Sequence, residues 1–174
     1  DTIDQVLEVA GTFARAVLAP LNVPGDLQGC RVEDRAVQVA DGFVVAYRQF
    51  VDNGWQTLPV SPEYGGVGLP VAVAVATFEM WQSANMAFSL CPMLTSGAVT
   101  AIAAHGTDEL RQTYLPKLVT GEWSGTMVLT EPQAGSVLAP ITTNAVAANE
   151  HSRSPGTTLY ISWGEDPMGE PVVD

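Results

Sequence analysis

Apolar residues in the first two thirds of the chain recur at helical intervals, and the pattern changes character after Trp123. Ile3, Val6, Leu7, Ala10, Phe13, Ala14, Val17 and Leu18 fall on one face of a helix. Thr2-Ile3-Asp4-Gln5 has the spacing of a capping box, and Pro20 is expected to end the helix. Residues 22–38 are polar and read as a loop. Asp41 reads as the cap of a second helix, with Phe43, Val44, Tyr47, Phe50 and Val51 on one side and Asn53-Gly54 as its stop. A glycine-rich connection over 61–69 leads to Pro70, which suits the first turn of a third helix. That helix is apolar nearly all round to about Leu90, which predicts a central place in a helical layer, and Pro92 is expected to break it. Residues 96–105 read as the next helix, ended by Gly106. Thr107 then caps a helix over 108–118, with Asp108 and Glu109 in its first turn and Lys117 in its last, matching the macrodipole. Gly121 closes the run.

Beyond Trp123 the signal becomes strand-like. Residues 126–130 read as a strand, with Met127-Val128-Leu129 buried, while 142–148 and 158–163 are weaker strands around a polar turn at 149–156. Residues 164–174 show no core pattern. Helices first and strands second predict an α+β fold: an all-helical domain over 1–125, then the beginning of a β-barrel-like domain over 126–174. Pro132 has no N–H for a ladder, and Gln133-Ala134-Gly135-Ser136 reads as a tight turn in which Gly135 can take a positive φ. Such a turn can aim N–H groups and the Ser136 hydroxyl at an anion. Taken alone, it reads as an ordinary strand-to-turn transition rather than as an anion nest.

Composition narrows the classes. The chain is 47% hydrophobic and 15% charged, too apolar for a disordered tail. A net charge of −12 opposes binding to nucleic acid or anionic lipid. Cys30 and Cys91 lack metal-type spacing and read as free thiols, and His105 and His151 lack clustered ligand partners, so no metal site is expected. Residues 84–104 carry no charge but include Asn85, Ser89, Pro92, Thr95, Ser96 and Gly97, so they read as buried helices rather than a membrane span. The N-terminus shows no signal peptide, and a cytoplasmic location is expected. Glu122 and Glu131 read as carboxylates that satisfy local backbone donors or face water rather than as acid–base groups. Tyr64-Gly65-Gly66-Val67-Gly68 lacks the Lys-Ser/Thr of a phosphate loop and reads as a structural turn.

Leu129-Thr130-Glu131-Pro132-Gln133-Ala134-Gly135-Ser136 closely resembles the flavin-binding signature of the acyl-CoA dehydrogenase family. Tyr114-Leu115-Pro116-Lys117-Leu118, Gly121-Glu122-Trp123 and Glu63-Tyr64-Gly65-Gly66-Val67-Gly68 resemble that family's other landmarks, in the same order. The resemblance runs to about Ala139. Ser83-Ala84-Asn85-Met86-Ala87-Phe88 and the stretch 17–22 resemble the methylmercaptopropionyl-CoA dehydrogenase-like branch.

The resemblance implies FAD as cofactor and α,β-dehydrogenation of an acyl-CoA thioester, with hydride passing to flavin N5. It implies that Leu129 and Thr130 meet the isoalloxazine, that Met127 gives it apolar cover, and that Ser136 reaches the pyrophosphate close to where acyl-CoA enters. Tyr160, Ile161 and Ser162 would form a second flavin strand, Tyr160 against the ring and Ser162 near N5. As residues alone they read equally as an edge strand. Val137 stands where relatives carry Asp, Thr157-Thr158 where Gly-Thr-Lys is expected, and Trp163 where a small residue is usual. The catalytic Glu of the family belongs to a C-terminal helical bundle absent from this sequence, so no catalytic residue is assigned and the chain alone is expected to be inactive. Implied partners are acyl-CoA, an electron-accepting flavoprotein and further copies of the complete protein. Two other readings stay open: a truncated non-catalytic homologue acting as a binding or assembly module, and a fragment of a same-fold acyl-CoA oxidase.

Overall fold

The computed structural model describes residues 2–34, 36–148, 151–153 and 156–158. The first apolar face forms helix α1, Thr2–Phe13, but the chain does not stop at Pro20. It passes through a π-helical turn, Ala14–Leu18, into α2, Ala19–Gln28. Pro20 sits in the first turn of α2, and the Ala19 N–H reaches back five residues to the Ala14 carbonyl. The widened turn shifts the hydrogen-bond register there, so the proline meets the ladder where a missing N–H costs little. The stretch expected to be a loop therefore holds a helix end and a hairpin. Strands β1, Arg31–Glu33, and β2, Ala36–Gln38, pair antiparallel with Val32 opposite Val37.

Helix α3, Phe43–Asp52, buries Phe43, Ala46, Tyr47 and Phe50, the face its spacing predicts. Its cap is Gly42 at φ 88° rather than Asp41, whose N–H donates to Gln28 Oε1 at 3.0 Å. Helix α4, Val71–Ala84, ends before Leu90, and α5, Met86–His105, runs straight through Pro92. The break lies at Asn85. This residue is extended (φ −157°, ψ 95°), and its Oδ1 accepts from the Phe88 N–H at 3.0 Å, capping α5. Pro92 removes one helical hydrogen bond, but Cys91, Pro92 and Thr95 are all buried, and that packing holds the helix together across it. Helix α6, Asp108–Thr120, starts as expected: Thr107 Oγ1 accepts from the Leu110 N–H. Gly121, at φ 76°, supplies the left-handed residue that ends it.

Two apolar clusters hold these helices together. The larger gathers Phe13, Phe50, Trp55, Trp81 and Phe88, with Phe50 edge-on to Trp81 at 5.0 Å between ring centroids. Truncating a wholly buried ring such as Phe50 to Ala costs about 3–5 kcal/mol. The smaller joins α5 to α6 through Val99, Leu115, Leu118 and Val119, with Tyr64 and Trp123 packed against it. The glycine-rich turn lies alongside: Gly66 approaches Val60 so closely that a Cβ would fall 2.0 Å from the Val60 carbonyl oxygen. It is a structural turn, tied by Gly68 N–H to Val60 O and Leu69 N–H to Leu58 O.

The fold is α+β, mostly helical, with small antiparallel pairs. Beyond the helices, β3, Val146–Ala148, pairs with β4, His151–Arg153. The strand expected over 126–130 does not form a ladder: Gly125 and Met127 are single bridge positions. Its apolar residues are exposed rather than buried, because an apolar triplet is covered only when neighbouring strands or helices pack along it, and none among the described residues does. The run Thr2–Gln28 and helix α5 are long and apolar enough to cross a bilayer by length and composition. Helix α5 packs against α4 and α6 and turns the Ser89 and Thr95 hydroxyls back to its own backbone, as a helix within a packed layer does.

Candidate functional site

The segment that resembles a flavin signature begins where the chain crosses α5. Thr95, wholly buried, donates its hydroxyl to the Cys91 carbonyl at 3.1 Å and accepts from the Gly125 N–H at 3.1 Å. A Cβ on residue 125 would lie 2.6 Å from Ala98 Cβ, so only glycine lets the backbone settle this closely on the helix. The approach from α6 is also fixed. After Gly121, the Trp123 N–H donates to the Lys117 carbonyl at 3.1 Å, while Lys117 Nζ lies 3.1 Å from Glu122 and 4.2 Å from the centre of the Trp123 ring. Lys117, Gly121, Glu122 and Trp123 thus form one structural lock. Glu122 is half-exposed and paired, not poised for proton transfer.

Beyond Thr130 the chain turns sharply. Glu131 and Ala134 exchange both backbone N–H···O bonds at 3.0 Å across Pro132-Gln133. The turn falls two residues earlier than the expected 133–136, and Gly135 does not take a positive φ. Pro132 accounts for this, since its fixed φ suits the first corner of a turn. The buried Glu131 side chain braces the turn from inside. It accepts from the Thr143 N–H at 2.8 Å, from the Thr142 N–H and hydroxyl at 2.9 Å each, and from the Gln133 side-chain amide. The neighbouring Thr143 hydroxyl, then the Thr142 and Thr143 N–H groups, hold its carboxyl down at about 2. Thr143 Oγ1 meets no partner at hydrogen-bond geometry, so the two amides are its firm donors. Glu131 therefore stays ionised as a structural acceptor.

The expected flavin contacts fall on the two arms of this turn. Met127 and Leu129 are 51% and 41% exposed, Thr130 is half-buried, and Ser136 is exposed. Among the described residues the Thr130 and Ser136 hydroxyls make no hydrogen bond. Tyr160, Ile161 and Ser162 lie outside the described residues. These features suit one side of a flat, largely apolar ring with a polar edge: open apolar side chains, a free hydroxyl at the end of the run, and a second free hydroxyl beyond the turn. Residues 132–148 contain no acidic or basic side chain, so an anion there would meet neutral hydroxyl and N–H donors.

Helix α5 adds a feature that the sequence did not disclose. Met86, Leu90 and Met93 are 53%, 38% and 39% exposed on one helix face, followed by Gly97, where an added Cβ would meet nothing within 4 Å. Thr95, against which Gly125 rests together with Ala98, lies on the opposite, buried side of the helix. A cavity of about 550 Å³, lined in part by Cys30, Phe43, Met86 and Leu90, opens at the Met86 end of the stripe. Hydropathy could not single out this stripe, because the opposite face of α5 is equally apolar.

Residues 1–122 match the family described as acyl-CoA dehydrogenase, N-terminal domain. Along 99% of its length the chain is 44% identical to 3-methylmercaptopropionyl-CoA dehydrogenase of Ruegeria pomeroyi, covering 30% of that protein. It is 29% identical, again along 99% of its length, to a butyryl-CoA dehydrogenase of Syntrophomonas wolfei, covering 29% of it. The solved butyryl-CoA dehydrogenase of Megasphaera elsdenii shares the fold, with a TM-score of 0.77 at 22% identity over 94% of this chain and 41% of that one. The chain belongs to the acyl-CoA dehydrogenase family. It spans about 30% of the length of these curated relatives, and its likeness to 3-methylmercaptopropionyl-CoA dehydrogenase extends along 99% of the sequence.

Proposed function

We propose that this chain forms the N-terminal part of an FAD-dependent acyl-CoA dehydrogenase and supplies one wall of its flavin and acyl site. The observation that carries this reading is a juxtaposition. The exposed arm Met127–Thr130 leaves α5 at Gly125 and runs directly into the braced Glu131 turn. Thr130 and the backbone of Leu129 would hold the polar edge of the isoalloxazine, Met127 and Leu129 would exclude water from its face, and Ser136 would bind the pyrophosphate. Tyr160, Ile161 and Ser162 are assigned to the same site by resemblance alone. Bound FAD supplies the two-electron acceptor for α,β-dehydrogenation. The stripe on α5 would seat the acyl chain, which needs apolar surface without buried charge.

Glu131 is not the base in this reading. A carboxyl held at about 2 is a poor proton acceptor near neutrality, and its lone pairs serve the Thr142 and Thr143 donors. Proton abstraction is assigned to a group outside the described residues, and electrons are assigned to an electron-accepting flavoprotein. The test uses the natural gene product that carries these residues. It should purify with FAD, and an acyl-CoA should bleach the flavin absorbance and support reduction of an artificial electron acceptor. A gene product that holds no flavin when supplied with FAD overturns the reading and favours a non-catalytic module.

A further inference from the structure

We infer that Thr95, though it lies in the helical layer and outside the flavin-like segment, is the positioning residue that fixes the start of that segment on α5. The inference rests on the function proposed above. A threonine hydroxyl has one hydrogen to give and lone pairs to receive with. Thr95 uses both: it donates to Cys91 O within its own helix and accepts from the Gly125 N–H across the fold, each at 3.1 Å. The first bond fixes the rotamer, so the second places Gly125 at a set point on the helix. The other polar contact at this level reinforces that point. Gln56, itself buried, donates to Ser96 Oγ at 2.8 Å and to the Pro92 carbonyl at 3.4 Å, pinning α5 at the same level.

The consequence reaches the site through the backbone. Gly125 lies two residues before Met127 and five before Thr130, and Gly125 and Met127 are single bridge positions rather than members of a ladder. The Thr95–Gly125 bond and the contact of Gly125 with Ala98 join that arm to α5. Loss of the acceptor would leave a buried N–H unpaired, a cost that the chain relieves by lifting Gly125 away from α5. The predicted flavin edge would then move relative to the helical layer.

The experiment compares Thr95→Val, which keeps the shape and removes the hydroxyl, with Thr95→Ser, which keeps the hydroxyl and removes a methyl. Both are made in the natural gene product loaded with FAD. Thr95→Val should weaken FAD retention by about tenfold, the equivalent of one unpaired buried donor, and should shift the visible flavin spectrum. Thr95→Ser should restore the wild-type spectrum and affinity even if its melting temperature falls, because the lost methyl affects packing and not the Gly125 bond. Amide exchange over residues 124–130 in the FAD-free protein is a second readout, faster in Thr95→Val and near wild type in Thr95→Ser. If Thr95→Val folds poorly, Thr95→Ala is read the same way, with faster exchange over 124–130 expected. Equal flavin spectra and equal exchange in wild type and Thr95→Val overturn the inference, as does a serine variant that resembles valine in both. A wild-type protein that holds no flavin overturns the underlying reading instead.

Discussion

Asn85 and Leu18 stand 67 residues apart and are joined directly: Asn85 Nδ2 donates to the Leu18 carbonyl at 3.3 Å. The same side chain caps α5 through Oδ1. One buried amide thus ties the end of the π-helical turn to the break between α4 and α5, the two places where the chain departs from straight helix. Replacing Asn85 with Ala removes the cap, leaves the buried Phe88 N–H unpaired and takes one donor from the Leu18 carbonyl. The expected loss is about 2–4 kcal/mol, from cap and unpaired-donor costs together. Asn85→Ser should recover about half of it by restoring the cap alone. Urea unfolding followed by far-ultraviolet circular dichroism measures this, and a wild-type midpoint for Asn85→Ala would show that neither bond matters.

The Glu131 turn should respond to acid in a defined direction. Its carboxyl lies at about 2, below its ordinary value of 4.5, so the charged form is favoured in the folded state. That contribution is fully present above about 4.5 and is lost as the pH falls toward 2. Glu131→Gln removes the titrating group, so the gap in melting temperature between wild type and Glu131→Gln should be widest near neutral pH and should narrow between pH 4.5 and 2. A gap that stays constant across that window would mean that the carboxylate is not held by the Thr142 and Thr143 donors.

These two relationships also show where the sequence was informative. Helix faces such as Phe43-Tyr47-Phe50 and the Thr107 cap were legible because one-sided apolar spacing and a capping hydroxyl are local signals. The breaks were not. Pro20 and Pro92 read as stops, yet a π-helical turn and packing around Cys91 and Thr95 carried the helix past each, while Asn85 made the true break through partners at Phe88 and Leu18. In the site, the Glu131 motif marked the right segment, but the turn lay at Pro132-Gln133 and its brace came from Thr142 and Thr143, eleven and twelve residues on. The α5 stripe stayed hidden because both faces of that helix are apolar, and only tertiary packing decides which one is covered.

Gly97 lies on the uncovered face. It sits inside a helix with open space where a Cβ would project. A glycine in a helix interior costs roughly 0.5–1 kcal/mol relative to alanine. Gly97→Ala should therefore stabilise the protein by about that amount. Gly97→Leu should fold as well as wild type but should fill the proposed acyl seat, raising KM for acyl-CoA. Steady-state kinetics beside thermal melts separate the two effects. An unchanged KM in a well-folded leucine variant would remove the stripe from the substrate site.

The Thr130 and Ser136 hydroxyls, unpartnered among the described residues, should divide their work around the turn. Thr130 ends the exposed run beginning at Met127, on the arm before Glu131, where a hydroxyl and the adjoining backbone can meet one edge of a flat ring. Ser136 lies beyond the turn, exposed and followed by Val137, with no acidic side chain from 132 to 148 to repel an anion. Thr130→Val keeps the shape and deletes one hydrogen bond, worth about 0.5–1.5 kcal/mol to a neutral partner. It should alter the flavin spectrum or reduction potential and slow reduction by acyl-CoA. Ser136→Ala should chiefly weaken FAD retention, by a similar or somewhat larger amount because a phosphate partner is charged. Paired titrations of FAD affinity and rapid-reaction measurements of flavin reduction distinguish them. If both variants lost affinity equally and neither moved the flavin spectrum, the two hydroxyls would share one role, and the assignment of Thr130 to the ring and Ser136 to the phosphate would fail.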